Sequence, residues 1–203
     1  MDKEKITSKA WFPAVAATVA LVVLAVGAYV WIKLIPPVHT GQVLSVYVDP
    51  IHRELSTGPP NGSKTDGLQG QPEIYDQLIV LANVRVKNQT NIPIFLHDMW
   101  GVVHLQNDEE ERTLAASTRD YDKVFIAYPD LKPLRKDPLQ RDLTLAPGQQ
   151  VEGMVIYNFP ISKEQWNLRQ DMEMHFSFLH QNSLVLKVPP NLVQTVPPNN
   201  ASK

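Results

Sequence analysis

Cysteine is absent from all 203 residues, so no disulfide framework and no thiolate metal or redox site can form. Basic residues are not in excess. Lys and Arg number 19 against 21 Asp and Glu, a formal charge of −2, which argues against the clustered basic face of a nucleic-acid binder. Glycine is scarce, nine residues against seventeen prolines, a balance of turns and edges rather than long helices. No G-x-S-x-G occurs, so Ser45, Ser177 and Ser183 have no nucleophile-elbow context. The acidic run "DEEER" at 108–112 has none of the Asp/Asn/Gly alternation of a calcium loop and reads as a solvated hairpin tip. "APGQQVEG" at 146–153 lies between two strand-like runs with no helix after it, which excludes a phosphate-cradling turn.

What is present begins with an uncharged run, "AWFPAVAATVALVVLAVGAYVWI", 23 residues over 10–32. A helix needs roughly 20 such residues to cross a bilayer. Trp11 and Trp31, with Tyr29, fall where aromatic side chains would sit at the two interfaces. Lys3, Lys5 and Lys9 precede the run and only Lys33 closely follows it, which predicts a cytoplasmic N-terminus. The expected organisation is a cytoplasmic tail over 1–9, a transmembrane helix over 10–35 in contact with lipid, and an exterior domain over 36–190. A tail without order is expected over 191–203. A cleaved signal peptide, with "VGA" at 26–28 as its cleavage site, is the alternative.

The exterior part alternates short apolar runs with turn residues. "QVLSVYV" at 42–48 reads as a strand, and "STGPPNGSKTDGLQGQP" at 56–72 as a flexible loop. In "YDQLIVLANVRVKN" the run is apolar on both faces early and on one face later. Further strands are expected over 92–107 (one long strand, or two joined by a kink at Gly101), 143–146, 150–159, 173–179 and 184–188. Ser162 and Gln165 form a capping box for one helical turn. About seven or eight antiparallel strands with one short helix make an all-β sandwich.

The segment 117–140 interrupts this pattern. Tyr121, Val124, Phe125 and Tyr128 fall at helical spacing, with Ser117 as the cap. A basic stretch, Lys132, Arg135, Lys136 and Arg141, follows in an exterior part that is otherwise acidic, 15 Lys/Arg against 19 Asp/Glu from Leu34 onward. Structurally the helix would cap an open end of the sandwich. Functionally, Tyr121, Phe125, Tyr128, Arg135 and Lys136 form the candidate docking surface for a partner protein. A cross-strand metal site from His97, Asp98 and His175 is a weaker candidate. Trp100 is expected as a core plug, and Trp166 to pack back on the sheet end.

Two motifs, followed by a final pair of strands, carry a resemblance. "LANVRVKNQTNIPIFLHDMWGVV" with its polar turn, and "LAPGQQVEGMVIYNFP", resemble bacterial extracytoplasmic immunoglobulin-like domains of unknown function, with Tyr157 where those have Phe. The likeness covers about 41–188. It implies an immunoglobulin-like sandwich on the outer side of a bacterial cell membrane, working as a non-catalytic interaction or envelope-assembly module. It brings no catalytic residue, cofactor or metal. A small-ligand or metal-binding module is the alternative function.

Overall fold

The computed structural model describes residues 7–34, 38–55 and 73–196; of 7–14, 31–34, 55, 73 and 107 only the backbone is described. The chain divides into two units, Met1–Pro37 and Val38–Lys203. The first contributes one helix, α1 (Thr7–Leu34). From 15 to 30 it carries no charge, and its side chains are exposed on every side. Among the described residues no helix is long and apolar enough to cross a membrane. The side chains of Trp11 and Trp31 lie outside the described residues, as do 56–72; Tyr29 is exposed.

The second unit is a β-sandwich. One sheet, called A here, has the order β6-β2-β1-β9, from β1 (His39–Leu55), β2 (Glu73–Asn88), β6 (Gln150–Phe159) and β9 (Val193–Thr195). The other, sheet B, has the order β4-β3-β7-β8, from β3 (Ile94–His104), β4 (Glu110–Leu114), β7 (Asp171–Phe178) and β8 (Leu184–Lys187), with β5 (Leu143–Leu145) also paired to β3. All pairings are antiparallel except β1 with β9.

Alternate residues of each strand meet between the sheets. Val80, Val84 and Tyr157 come from one side, Leu96, Met174 and Phe176 from the other, all without solvent exposure. Gly101 makes room for this packing: a Cβ there would stand 2.9 Å from the Phe159 ring and 3.2 Å from that of Tyr157.

The two resembling motifs meet in space. Asn88, fully buried at the end of β2, donates from Nδ2 to the carbonyls of Ile92, Leu145 and Ala146, at 2.8, 3.0 and 3.1 Å. Its Oδ1 accepts from the backbone and hydroxyl of Thr90. One amide thus holds the β2–β3 turn against the β5–β6 turn. In the latter, Gln149 N–H closes on the Ala146 carbonyl at 3.0 Å, with Pro147 at the first central position and Gly148 at φ +71°, a type II turn. The glycine turn is therefore a sheet reversal, as the absence of a following helix predicts.

Three expectations are corrected. Residues 191–195, expected in the terminal tail, continue a 3-10 turn begun at Pro190 and form β9, because Val193 packs against the core and its strand pairs with Val46–Val48. The acidic run is not all hairpin tip: Glu110–Leu114 pairs with β3 and only Leu105–Glu109 turns. Trp100 faces outward from sheet B, because Gly101 and Met99 take the inward positions; it lies between the Arg112 guanidinium, 4.5 Å above its ring, and His175, stacked at 5.2 Å. Trp166 is buried as expected, with the Arg169 guanidinium 3.6 Å over its ring. The Ser162–Gln165 capping box starts α3 (Lys163–Asn167).

Candidate functional site

The segment predicted as an insertion forms α2 (Thr118–Ala127) and a 3-10 turn at Pro129–Leu134. Ser117 caps α2 by accepting from Asp120 N–H, and the helix's apolar side lies on the outer face of sheet A. Tyr121 (3 % exposed) and Phe125 (1 % exposed) pack with Ile79, Leu81, Met154 and Ile156. Tyr121 also donates its hydroxyl to the Lys136 carbonyl. Burial of each such ring stabilises by about 1.5–3 kcal/mol, which fixes the segment to the sheet.

The residues that follow seal the edge of β6. Leu139 N–H bonds the Met154 carbonyl at 3.0 Å, and Met154 N–H the Asp137 carbonyl at 2.8 Å. Gly153 permits this close approach: a Cβ there would stand 2.6 Å from the Leu139 nitrogen.

This corrects the docking surface read from the sequence. Tyr121 and Phe125 are core, because β2 is apolar on both faces and needs a cover on its second one. Arg135 is exposed but pairs with Asp122 at 2.7 Å and lies over the rings of Tyr121 and Phe125. With its side-chain amide turned, Asn83 accepts from Lys136 Nζ at 3.1 Å. Tyr128, half-buried, is the member that reaches a feature the sequence reading left unnoticed. Its hydroxyl is 3.4 Å from Arg53, whose guanidinium lies 5.5 Å over the ring.

Arg53 belongs to a projecting ribbon. β1 and β2 remain paired out to Leu55 and Glu73, yet β6 reaches only Leu78 of β2, and β9 only Val48 of β1. Residues 49–55 and 73–77 therefore leave the sandwich as a two-stranded ribbon. It exposes Ile74 (59 %) and Tyr75 (46 %). His52 bonds Asp76 at 2.6 Å and lies 3.5 Å from Glu54; the hydrogen bond to Asp76, and then that to Glu54, raise the imidazole pKa. A signal for the ribbon was available: "PEIYDQL" pairs apolar and charged residues just after a Gly/Pro-rich run, the pattern of a hairpin arm.

At the foot of the ribbon lies a groove of about 560 Å³ lined by Asp49, Ile51, His52, Asp76, Glu164 and Val196, among others. Asp49 is half-buried, and that burial, with Asp130 nearby, pushes its carboxyl pKa up. A second cavity, about 270 Å³, lies between the start of α2 and the strand edge, lined by Ser117, Arg119, Leu139 and Arg141. Arg141 spans its wall, bonded to the Ala115 carbonyl and 3.4 Å from Asp98.

The metal candidate does not assemble. His97 pairs with Asp142 at 3.6 Å, Asp98 with Arg141, and His175 with Glu173 at 3.3 Å. Among the described residues no group of three or more His, Asp or Glu is arranged to hold a metal ion.

No protein-family model and no curated protein matches the chain. Among solved structures it is similar to YjhA of Bacillus subtilis, at 14% identity and a TM-score of 0.39, over 75% of this chain and 93% of that one. It is also similar to an uncharacterized β-sandwich protein of Clostridium difficile, at 9% identity and a TM-score of 0.36, over 77% and 89%. A candidate lipoprotein of Bacillus subtilis, YcdA, is 15% identical with a TM-score of 0.40; the match takes in 76% of this chain but only 38% of that one. The fold assignment rests on the strand pairing itself.

Proposed function

We propose that this protein is a single-pass membrane protein, N-terminus cytoplasmic, that presents an immunoglobulin-like sandwich outside a bacterial cell membrane as a non-catalytic interaction module. Three features support the parts of this reading. Helix α1 is apolar all round from 15 to 30, and a helix without a polar face needs hydrocarbon or protein about it. The sheets place β1, β2 and β6 together and β3, β7 and β8 together, the order of strands A, B, E and C, F, G in immunoglobulin domains. The observation that carries the interaction role is the ribbon. Among the described residues its strands continue beyond both flanking strands, and Ile74 and Tyr75 are exposed there. A two-stranded ribbon with no sheet on its flanks gains little from its own pairing, and packing onto a partner stabilises it.

The test has two arms. Alkaline carbonate extraction should leave the full chain in the membrane and release a chain lacking 10–35; release of both overturns the anchor. Affinity capture from solubilised membranes should yield a stoichiometric partner that is lost with Ile74→Ser/Tyr75→Ser and kept with Arg135→Glu/Lys136→Glu, all variants melting at the same temperature. A partner kept by the ribbon variant and lost by the other would return the docking site to α2 and its basic stretch.

A further inference from the structure

The side of β1 that faces β9 is occupied for three residues only, Val46↔Val193 to Val48↔Thr195, and the last rung is the Val196 N–H bonded to the Val48 carbonyl at 3.0 Å. Backbone groups of a strand point alternately to its two sides, so the edge that begins at Val48 continues with Pro50, His52 and Glu54. Pro50 has no N–H, and a ladder ends where the donor is missing. Beyond it, His52 and Glu54 each turn an N–H and a carbonyl to this edge, and among the described residues no strand pairs with them. Among the described residues, two unoccupied rungs thus border the groove.

The groove has a charge to match. Its acids are Asp49, Asp76 and Glu164; its cations are Lys163 and His52, and His52 is already engaged by Asp76. Among the described residues Asp49 is in no ion pair, and the charge of another acid, Asp130, acts on it. Ile51, Pro50 and Val196 add an apolar wall. A long aliphatic stem with a cationic end fits this lining: the stem lies along the apolar wall while the charge meets Asp49.

We propose that the free edge of β1 at His52 and Glu54 receives an extended segment of a partner protein, with a Lys or Arg of that segment seated in the groove against Asp49. Backbone pairing supplies the attachment and the acid selects the side chain, the usual division of labour in strand addition. The proposal rests on the interaction-module reading and names the partner's chemistry.

The probe is a pair of eight-residue alternating Val/Thr peptides, one with a single central Lys and one with Glu in its place. Each is titrated into the full-length protein in detergent micelles. The Lys peptide should bind more tightly by about fivefold, which corresponds to ~1 kcal/mol for a partly exposed ion pair. Asp49→Asn/Asp76→Asn should abolish that preference, and Glu111→Gln on β4 should leave it unchanged. Bound peptide should slow hydrogen exchange at the amides of His52 and Glu54. Equal binding of the two peptides, no binding, or protection elsewhere overturns the proposal. So does binding seen only after the chain is shortened to end at Val196, which would make its own last residues the occupant. If the peptides fail while the ribbon variant still loses its captured partner, the interaction module stands and this mode of recognition falls.

Discussion

The outer faces of the two sheets are built on opposite terms. On sheet A, Ile79, Leu81, Met154 and Ile156 point away from the sandwich and are buried all the same, under Tyr121, Phe125 and Leu131. On sheet B the outward positions carry a ladder of polar groups. His104 lies 3.1 Å from Glu110 and 3.6 Å from Asp171, Lys187 joins Asp171 and Glu173 at 3.2 and 3.0 Å, and Arg112, Trp100 and His175 stack beside them. One face is a second core and the other is a solvated surface whose charges neutralise one another. The difference teaches where a partner can be expected. The helix expected as a docking surface is bound to its own sheet, and what extends beyond is the ribbon, whose Ile51 and Arg53 touch the α2 layer while Ile74 and Tyr75 are exposed.

The comparison can be broken most severely at Phe125. Phe125→Ala removes the ring at the centre of the second core and should cost about 3–5 kcal/mol in denaturant unfolding. A loss under ~1 kcal/mol would mean that the α2 layer is not part of the cooperative fold. Gly153→Ala is expected next, at about 1–3 kcal/mol, because the added methyl meets the Leu139 backbone rather than a side chain that can swing away. Near-neutral stability there would show that residues 137–139 can leave the β6 edge.

On the other sheet, Val185→Ala should change stability by less than ~0.5 kcal/mol, since Val185 is 44 % exposed on the outer face of β8. A cost like that of Phe125 would mean that this face, too, is covered.

The smallest effects belong to the ribbon and its groove, and they depend on pH. His52 has a pKa above the ordinary 6.5, so its bond to Asp76 contributes fully below that value and is lost as pH rises through the raised one. An NMR titration should find His52 above 6.5 and returned toward it in Asp76→Asn. Asp49 is the reverse case among carboxylates: its folded pKa is raised above 3.8, so stability falls as pH rises through the raised value. Asp49→Asn should therefore melt slightly higher than the unmodified chain at pH 7, and match it near pH 3.

Much of this architecture is legible from local patterns. "DMEMHFSF" alternates strictly, and β7 buries every second residue against the core. Ser117, the helical spacing of Tyr121 and Phe125, and the Ser162–Gln165 box give α2 and α3 close to their true bounds. Pro147 and Gly148 give the turn. What local pattern leaves out is which surface covers which. The unbroken apolar run at 78–82 was itself the sign that sheet A needs a cover, and the Tyr/Phe face of α2 was the cover. Read separately, the same aromatic residues look like a docking surface.

Trp100 escaped for a related reason. A tryptophan in mid-strand suggests core, yet its side is set by register, and Gly101 next to it takes the inward place where the Tyr157 and Phe159 rings need room. The hairpin arm has a local signal in "PEIYDQL", but its projection beyond the sandwich depends on where neighbouring strands stop. β6 and β9 end at Phe159 and Thr195, and nothing within 49–55 records that.

The most direct test of the ribbon's role is site-specific photo-crosslinking in intact cells, with a photoreactive residue placed in turn at position 75 on the ribbon, 126 on α2 and 185 on sheet B. All three native side chains are exposed, so reach alone does not favour any of them. The account predicts a single discrete protein adduct from position 75 and none from 185. Adducts from 126 or 185 with none from 75 would contradict it, and would move the functional surface to one of the faces described here as structural.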